Sequence, residues 1–179
     1  MADYSYEMKI PASRVAVLIG TGGSIKKEIE KETGVKITVD SREGDIFLFS
    51  DDALRLYTTR EIITAVGRGF NPEVALELLK PDFAFEQINL AEHVKTKNHM
   101  VRIKGRVIGS NGKARELIEE FTGCRISVFG KTISIIGRVE SANVCRRAIQ
   151  SIIKGSRHAT VYKFLEKQRR EIKRKQLLG

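Results

Sequence analysis

"VLIGTGGSIKKEIEKETGVKI" occupies residues 17–37, and "RVIGSNGKARELIEEFTGCRI" occupies residues 106–126. Sliding the chain by 89 positions lines up Ile19 with Ile108, Gly20 with Gly109, Gly23 with Gly112, Ile29 with Ile118, Thr33 with Thr122, Gly34 with Gly123 and Ile37 with Ile126. Glycine, Thr-Gly and regularly spaced isoleucine are positions where backbone shape or a core face dictates the residue, so the match indicates an internal duplication. Within each copy the helix after the glycine turn is legible. "SIKKEIEKETG" sets Ile25 and Ile29 on one face and ends at Gly34, and "KARELIEEFTG" does the same with Leu117, Ile118 and Phe121 before Gly123. A glycine there is suited to a left-handed helix C-cap.

Outward from these helices, "VKITV" and "CRISV" alternate at the period of a half-buried strand, and "DIFLFS" and "KTISIIG" supply a second strand. Helical patterns close each copy, "DDALRLYTTREIITAVGRG" and "SANVCRRAIQSIIKG", with Ser141 expected as the N-cap of the second. Each copy therefore reads strand, helix, glycine turn, helix, strand, strand, helix. Between them, "GRGFNPEVALELLKPDF" predicts a short connecting helix with Asn71 as N-cap and Pro72 at its first position, stopped by Pro81.

Composition bounds the rest. The chain has 179 residues, 41% of them hydrophobic, enough for a core in each of two small domains. No apolar run approaches the length that crosses a bilayer, and the N-terminal stretch lacks a signal-peptide pattern, so a cytoplasmic protein without a membrane partner is expected. Cys124 and Cys145 form no CxxC pair and fall in stretches read as buried strand and helix, where they are expected to pack as small hydrophobes. Residues 1–97 hold 13 Lys and Arg against 16 Asp and Glu, whereas residues 98–179 hold 19 against 6. Positive charge this one-sided points to a polyanion, since neutralising phosphates releases condensed counterions.

Ile-Gly-x-x-Gly, followed by Ile or Leu on the next helix, Thr-Gly at its end and an alternating strand, resembles the KH-domain pattern of nucleic-acid-binding proteins. The resemblance implies an α+β fold of two tandem type I KH domains, each a three-stranded antiparallel sheet packed on helices, with a basic C-terminal helix. It divides the chain into a first KH domain at 1–70, a connecting helix and linker at 71–82, a second KH domain at 83–157 and a basic helical tail at 158–179. In KH domains the loop clamps the backbone of about four unpaired nucleotides. The resemblance thus makes Gly20, Thr21, Gly22 and Gly23 the first clamp and Gly109, Ser110, Asn111 and Gly112 the second. Arg14, Lys26 and Lys27, and Arg106, Lys113 and Arg115, are expected near phosphates. Ile108, with Ile126 and Val128, either lines a base groove or is plain core.

Neither loop contains Lys or Arg, a departure from many KH domains. The second copy has more basic flanks, with Arg102 and Lys104 adding charge, so it is expected to be the main RNA binder, the first assisting or docking a protein. In the tail, Val161, Phe164, Leu165 and Ile172 share a helix face, while Lys167, Arg170, Lys173 and Arg174 form part of a basic surface that is either merely solvated or contacts RNA. Tandem KH pattern, the linker string "AVGRGFNPEVALELL" and the tail together resemble the partner-of-Nob family of small-subunit ribosome assembly factors in its compact archaeal form. That resemblance implies binding of single-stranded (pre-)rRNA near the small-subunit 3′ end, alongside an rRNA-maturing endonuclease or the precursor small-subunit particle.

Other readings are weaker. A P-loop ending at Lys113 needs Gly at 107 and Ser or Thr at 114, where the chain has Val107 and Ala114. "GTGGSI" puts Ile25 where a dinucleotide motif needs glycine. His93, His99 and His158 suggest no triad or metal pair, so neither enzyme, cofactor nor metal is expected. A KH-type protein scaffold, or a general RNA or single-stranded DNA binder, stays open.

Overall fold

The computed structural model describes residues 3–179 and divides at Pro81 and Asp82 into two compact units. In the first, β1 (Tyr4–Lys9) leads into α1 (Ala12–Ile19), the glycine turn, α2 (Ser24–Thr33), β2 (Lys36–Asp40), β3 (Asp45–Ser50) and α3 (Ala53–Gly67). The second repeats this order with β4 (Phe83–Asn89), α5 (Lys97–Ile108), α6 (Lys113–Thr122), β5 (Arg125–Phe129), β6 (Thr132–Arg138) and α7 (Val139–Ile153). Each sheet is antiparallel and three-stranded, with the last strand in the centre, β1-β3-β2 and β4-β6-β5. Ile37 opposes Leu48 in one sheet and Ile126 opposes Ile135 in the other, which puts buried branched residues from neighbouring strands side by side on the core face. This is the α+β arrangement expected of two tandem type I KH domains.

The repeated identities each have a physical reason. Ile29 and Ile118 are fully buried. Gly34 and Gly123 cap their helices in the left-handed conformation, at φ 73° and 72°. Thr33 and Thr122 donate to the carbonyls of Ile29 and Ile118, both at 2.7 Å, and accept from the amides of Val35 and Cys124. The hydroxyl thus satisfies backbone groups on both sides of the helix end, where a buried polar atom without a partner would be destabilising.

Three local expectations change. Helix α7 begins at Val139, so Ser141 lies in its first turn, and no side chain caps that end. Asn71 and Pro72 do start α4 (Pro72–Ala75), but one turn later it tightens into a 3-10 turn at Leu76–Leu79, and Ala75 and Leu78 are buried within the first unit. Leu117, expected to share the apolar face of its helix, is 37% exposed.

The tail is a single helix, α8 (His158–Leu178), and its first turns belong to the core. Val161 and Leu165 are buried among Ile118, Ile149 and Ile152, and α8 packs on both α6 and α7. Arg147 of α7 lies over the Phe164 ring at 4.9 Å, and Arg169 over Phe121 of α6 at 5.3 Å, so even arginines pin the helix. Cys124 and Cys145 are buried free thiols. Cys145 hydrogen-bonds Cys124, which pulls the Cys124 thiol down and, with burial, pushes Cys145 up. Leu165→Ala is expected to destabilise the second unit by about 2–5 kcal/mol in chemical denaturation, because it empties a closed core site. Leu177→Ala, at a position 87% exposed, is expected to leave the transition unchanged.

Candidate nucleic-acid interface

Both glycine loops follow one backbone path. Gly20, Gly22 and Gly23 have φ of 73°, 60° and 78°, and Gly109, Asn111 and Gly112 have 75°, 56° and 76°. Asn111 is the only non-glycine at positive φ among the described residues, and asparagine is one of the few that tolerates that region. Within each loop the two outer glycines do different jobs. A Cβ on Gly20 would lie 2.4 Å from Ile25 Cγ1, and on Gly109 2.6 Å from Ala114 Cβ, so these glycines let one helix end cross the start of the next. A Cβ on Gly23 or Gly112 would meet nothing closer than a side-chain tip, 3.9 Å and 3.8 Å away. Those two need glycine for φ alone, and their outer surface is bare backbone. No side chain caps the amides that open α2 or α6, which leaves the positive helix ends facing outward beside that backbone.

The structure redistributes the basic residues assigned to phosphates. Lys26 pairs with Glu30 at 3.2 Å and Arg115 with Glu119 at 2.8 Å, while the second carboxylate oxygen of each Glu accepts the amide of Ile37 or Ile126 at 2.9 Å. These pairs brace the helix against the following strand in both units. Arg14 and Arg106 also turn away from the phosphate role. Arg14 donates to the carbonyls of Val66 and Phe70 and Arg106 to those of Ile152 and Ser156, closing the C-terminal ends of α3 and α7. Burial pulls the Arg14 guanidinium below its usual value. Lys113 and Lys27 stay exposed and make no ion pair among the described residues. Thr21, Gly22, Ser110 and Asn111 are exposed at the loop tips. Of the groove candidates, Ile126 is core at 5% exposure, whereas Ile108 and Val128 are half-buried.

Residues 84–170 match a family model described as a eukaryotic-type KH domain, type I, and residues 5–79 match the KH-domain model. A KH domain-containing protein of Methanocaldococcus jannaschii is 43% identical over 96% of this chain and 78% of its own length. The structure of aDim2p from Pyrococcus horikoshii, solved in a complex with a/eIF2alpha and rRNA, is 41% identical with a TM-score of 0.88, covering 94% of this chain and 95% of that one. A pre-rRNA-processing protein pno1 of Emericella nidulans is 29% identical over 74% of this chain. The chain belongs to the partner-of-Nob (pno1/Dim2p) family of tandem KH-domain proteins. It spans 54% of the length of that fungal relative.

Charge separates the two KH units of this family member. Residues 82–179 hold 21 Lys and Arg against 9 Asp and Glu, and residues 1–81 hold 11 against 13. On α8, Lys167, Arg170, Lys173 and Arg174 are all exposed. No group of His, Cys, Asp and Glu among the described residues is arranged to hold a metal. His158 and Tyr162, which sequence reasoning leaves out of the site, stand beside the second loop because α8 starts there. Nothing in their spacing signals it, since the placement depends on how α5 and α7 end.

Gly112→Asp is expected to keep the fold, at a cost of about 1 kcal/mol for left-handed backbone, and to lower affinity for single-stranded RNA on the order of tenfold or more by facing a carboxylate toward phosphate. Gly23→Asp should lose less. Gly109→Ala should instead act on stability, and paired denaturation and binding curves separate the two effects.

Proposed function

We propose that the chain is a single-stranded RNA-binding protein of small ribosomal subunit biogenesis, holding (pre-)rRNA near the small-subunit 3′ end through its glycine loops, mainly the second. One observation carries this reading: bare backbone at Gly112, a start of α6 that no side chain caps and a Lys113 without an ion pair among the described residues meet in the unit that holds the positive charge. A phosphodiester can approach closely there because no Cβ intervenes, and it meets the positive end of a helix. Half-buried Ile108 and Val128 offer apolar surface for the bases that follow. The rRNA in the complex of the Pyrococcus relative and the pre-rRNA-processing name of the fungal relative support the choice of RNA. The first loop, in an acidic unit with its Lys26 already paired, is assigned an assisting or protein-docking role, with an rRNA-maturing endonuclease or the precursor particle as the partner class.

The test is binding to a single strand from the small-subunit rRNA 3′ end, compared with scrambled RNA and the matching DNA across a salt series. Preference for the rRNA strand is expected. Equal and steeply salt-dependent binding to all three would leave only a general polyanion surface. Removing the tail would open the core around Val161 and Leu165, so the tail is tested by substitution. Replacing Lys167, Arg170, Lys173 and Arg174 by Ala should preserve thermal stability and flatten the salt dependence by roughly 0.7 in log–log slope for each phosphate that is no longer neutralised.

A further inference from the structure

An open cleft of about 440 Å³ lies on the far side of the second glycine loop, lined by Arg102, Gly109, Ser110, Lys113, His158 and Tyr162 among others. Its volume falls in the range of pockets that hold small ligands, roughly 300–1,000 Å³. Gly109 and Ser110 belong to the loop itself, so the cleft opens directly off the surface on which a clamped strand lies. It is not the groove side of α5. Positions 102, 105, 106 and 109 recur at helical spacing along one face, and Ile108 and Lys104 lie on another, where the Lys104 ammonium donates to the Gly130 carbonyl.

The cleft is a fastened structure. Arg106 reaches from α5 to the carbonyls of Ile152 and Ser156, just ahead of α8, and His158 in the first turn of α8 donates through Nε2 back to the Arg106 carbonyl at 2.8 Å. Tyr162, one turn on, stacks against Phe121 with ring centroids 6.4 Å apart and planes 27° apart, and burial pushes its phenol up. Its ring is therefore held at a fixed place beside two cations. Arg102 and Lys113 are exposed and make no ion pair among the described residues, and no carboxylate lines the cleft. Fixed aromatic surface next to unpaired positive charge is the chemistry that takes a nucleotide: phosphate to the cations, base to the ring.

We propose that this cleft is a second RNA subsite, which receives a nucleotide flanking the segment clamped by the loop, its phosphate held by Arg102 and Lys113 and its base stacked on Tyr162. The C-terminal helix thereby lengthens the stretch of RNA that one KH domain reads. This rests on the RNA-binding reading above, and the test keeps the two apart.

Affinity is measured by fluorescence anisotropy for a ladder of small-subunit rRNA 3′-terminal strands from four to about twelve nucleotides. For the unaltered protein, affinity should climb as the strand outgrows the four-nucleotide clamp. Arg102→Glu should remove that climb, losing on the order of tenfold on long strands and far less on the shortest, where only its field at the loop is felt. Tyr162→Ala should lose several-fold on long strands only, and Tyr162→Phe, which keeps both the stacking surface and the packing on Phe121, should behave as the parent. Equal loss at every length, or no loss from Arg102→Glu, overturns the subsite while leaving the loop as binder. Failure of the unaltered protein to bind any strand overturns the RNA reading, and the subsite with it.

Discussion

Two helices must cross at a distance that no side chain permits. At Gly20 and at Gly109 an added Cβ would sit 2.4 to 2.6 Å from the first residues of the next helix, well inside van der Waals contact. The chain meets this constraint with a four-residue turn in which the first, third and fourth residues have positive φ, and that turn leaves Gly23 and Gly112 facing outward with no side chain. The same geometry that closes the core therefore presents bare backbone and a helix start without a side-chain cap to solvent. In this fold the outward-facing glycine turn is a consequence of packing, which explains why the loop is kept in both copies although their charges differ.

Divergence has spared the braces. Glu30 and Glu119 each hold a strand amide with one oxygen and a cation with the other, at equivalent places in the duplication. Arg14 and Arg106 close the last helix of each unit at matching carbonyls, counted from the helix end, yet they occupy positions about one helical turn apart when the copies are aligned. The guanidinium is long enough to reach one target from either turn. What differs is the net charge of the two units and the helix α8, which is built only onto the second. Positive charge has been concentrated in one copy without disturbing the architecture of either.

Periodicity and glycine placement made the element order and the duplication legible, because both are local: an isoleucine every turn, a glycine at a left-handed cap, alternation in a strand. The KH pattern was legible from the same residues, and the partner-of-Nob family from that pattern together with the linker string "AVGRGFNPEVALELL" and the basic tail. The division of labour among the basic residues was not. Whether Arg14 or Arg106 faces phosphate or an internal acceptor depends on Val66 and Ile152, 52 and 46 positions away, whose proximity only the packed fold creates. Lys26 with Glu30 and Arg115 with Glu119 are one helical turn apart and could have been read from the spacing, but the strand amides that fix each Glu could not. The same limit hid His158 and Tyr162, which are remote from the loop along the chain and adjacent to it in space.

The central claim is that one of two nearly superimposable loops holds RNA and the other does not hold it comparably. Backbone amide NMR during titration with the rRNA 3′-terminal strand reads both loops in one sample. The expected result is that amides from Ser110 to Arg115 shift at substoichiometric RNA, while those from Thr21 to Lys26 stay in place until RNA is in excess. Simultaneous shifts of equal size in both loops would contradict the claim that charge and α8, rather than loop geometry, select the binding copy.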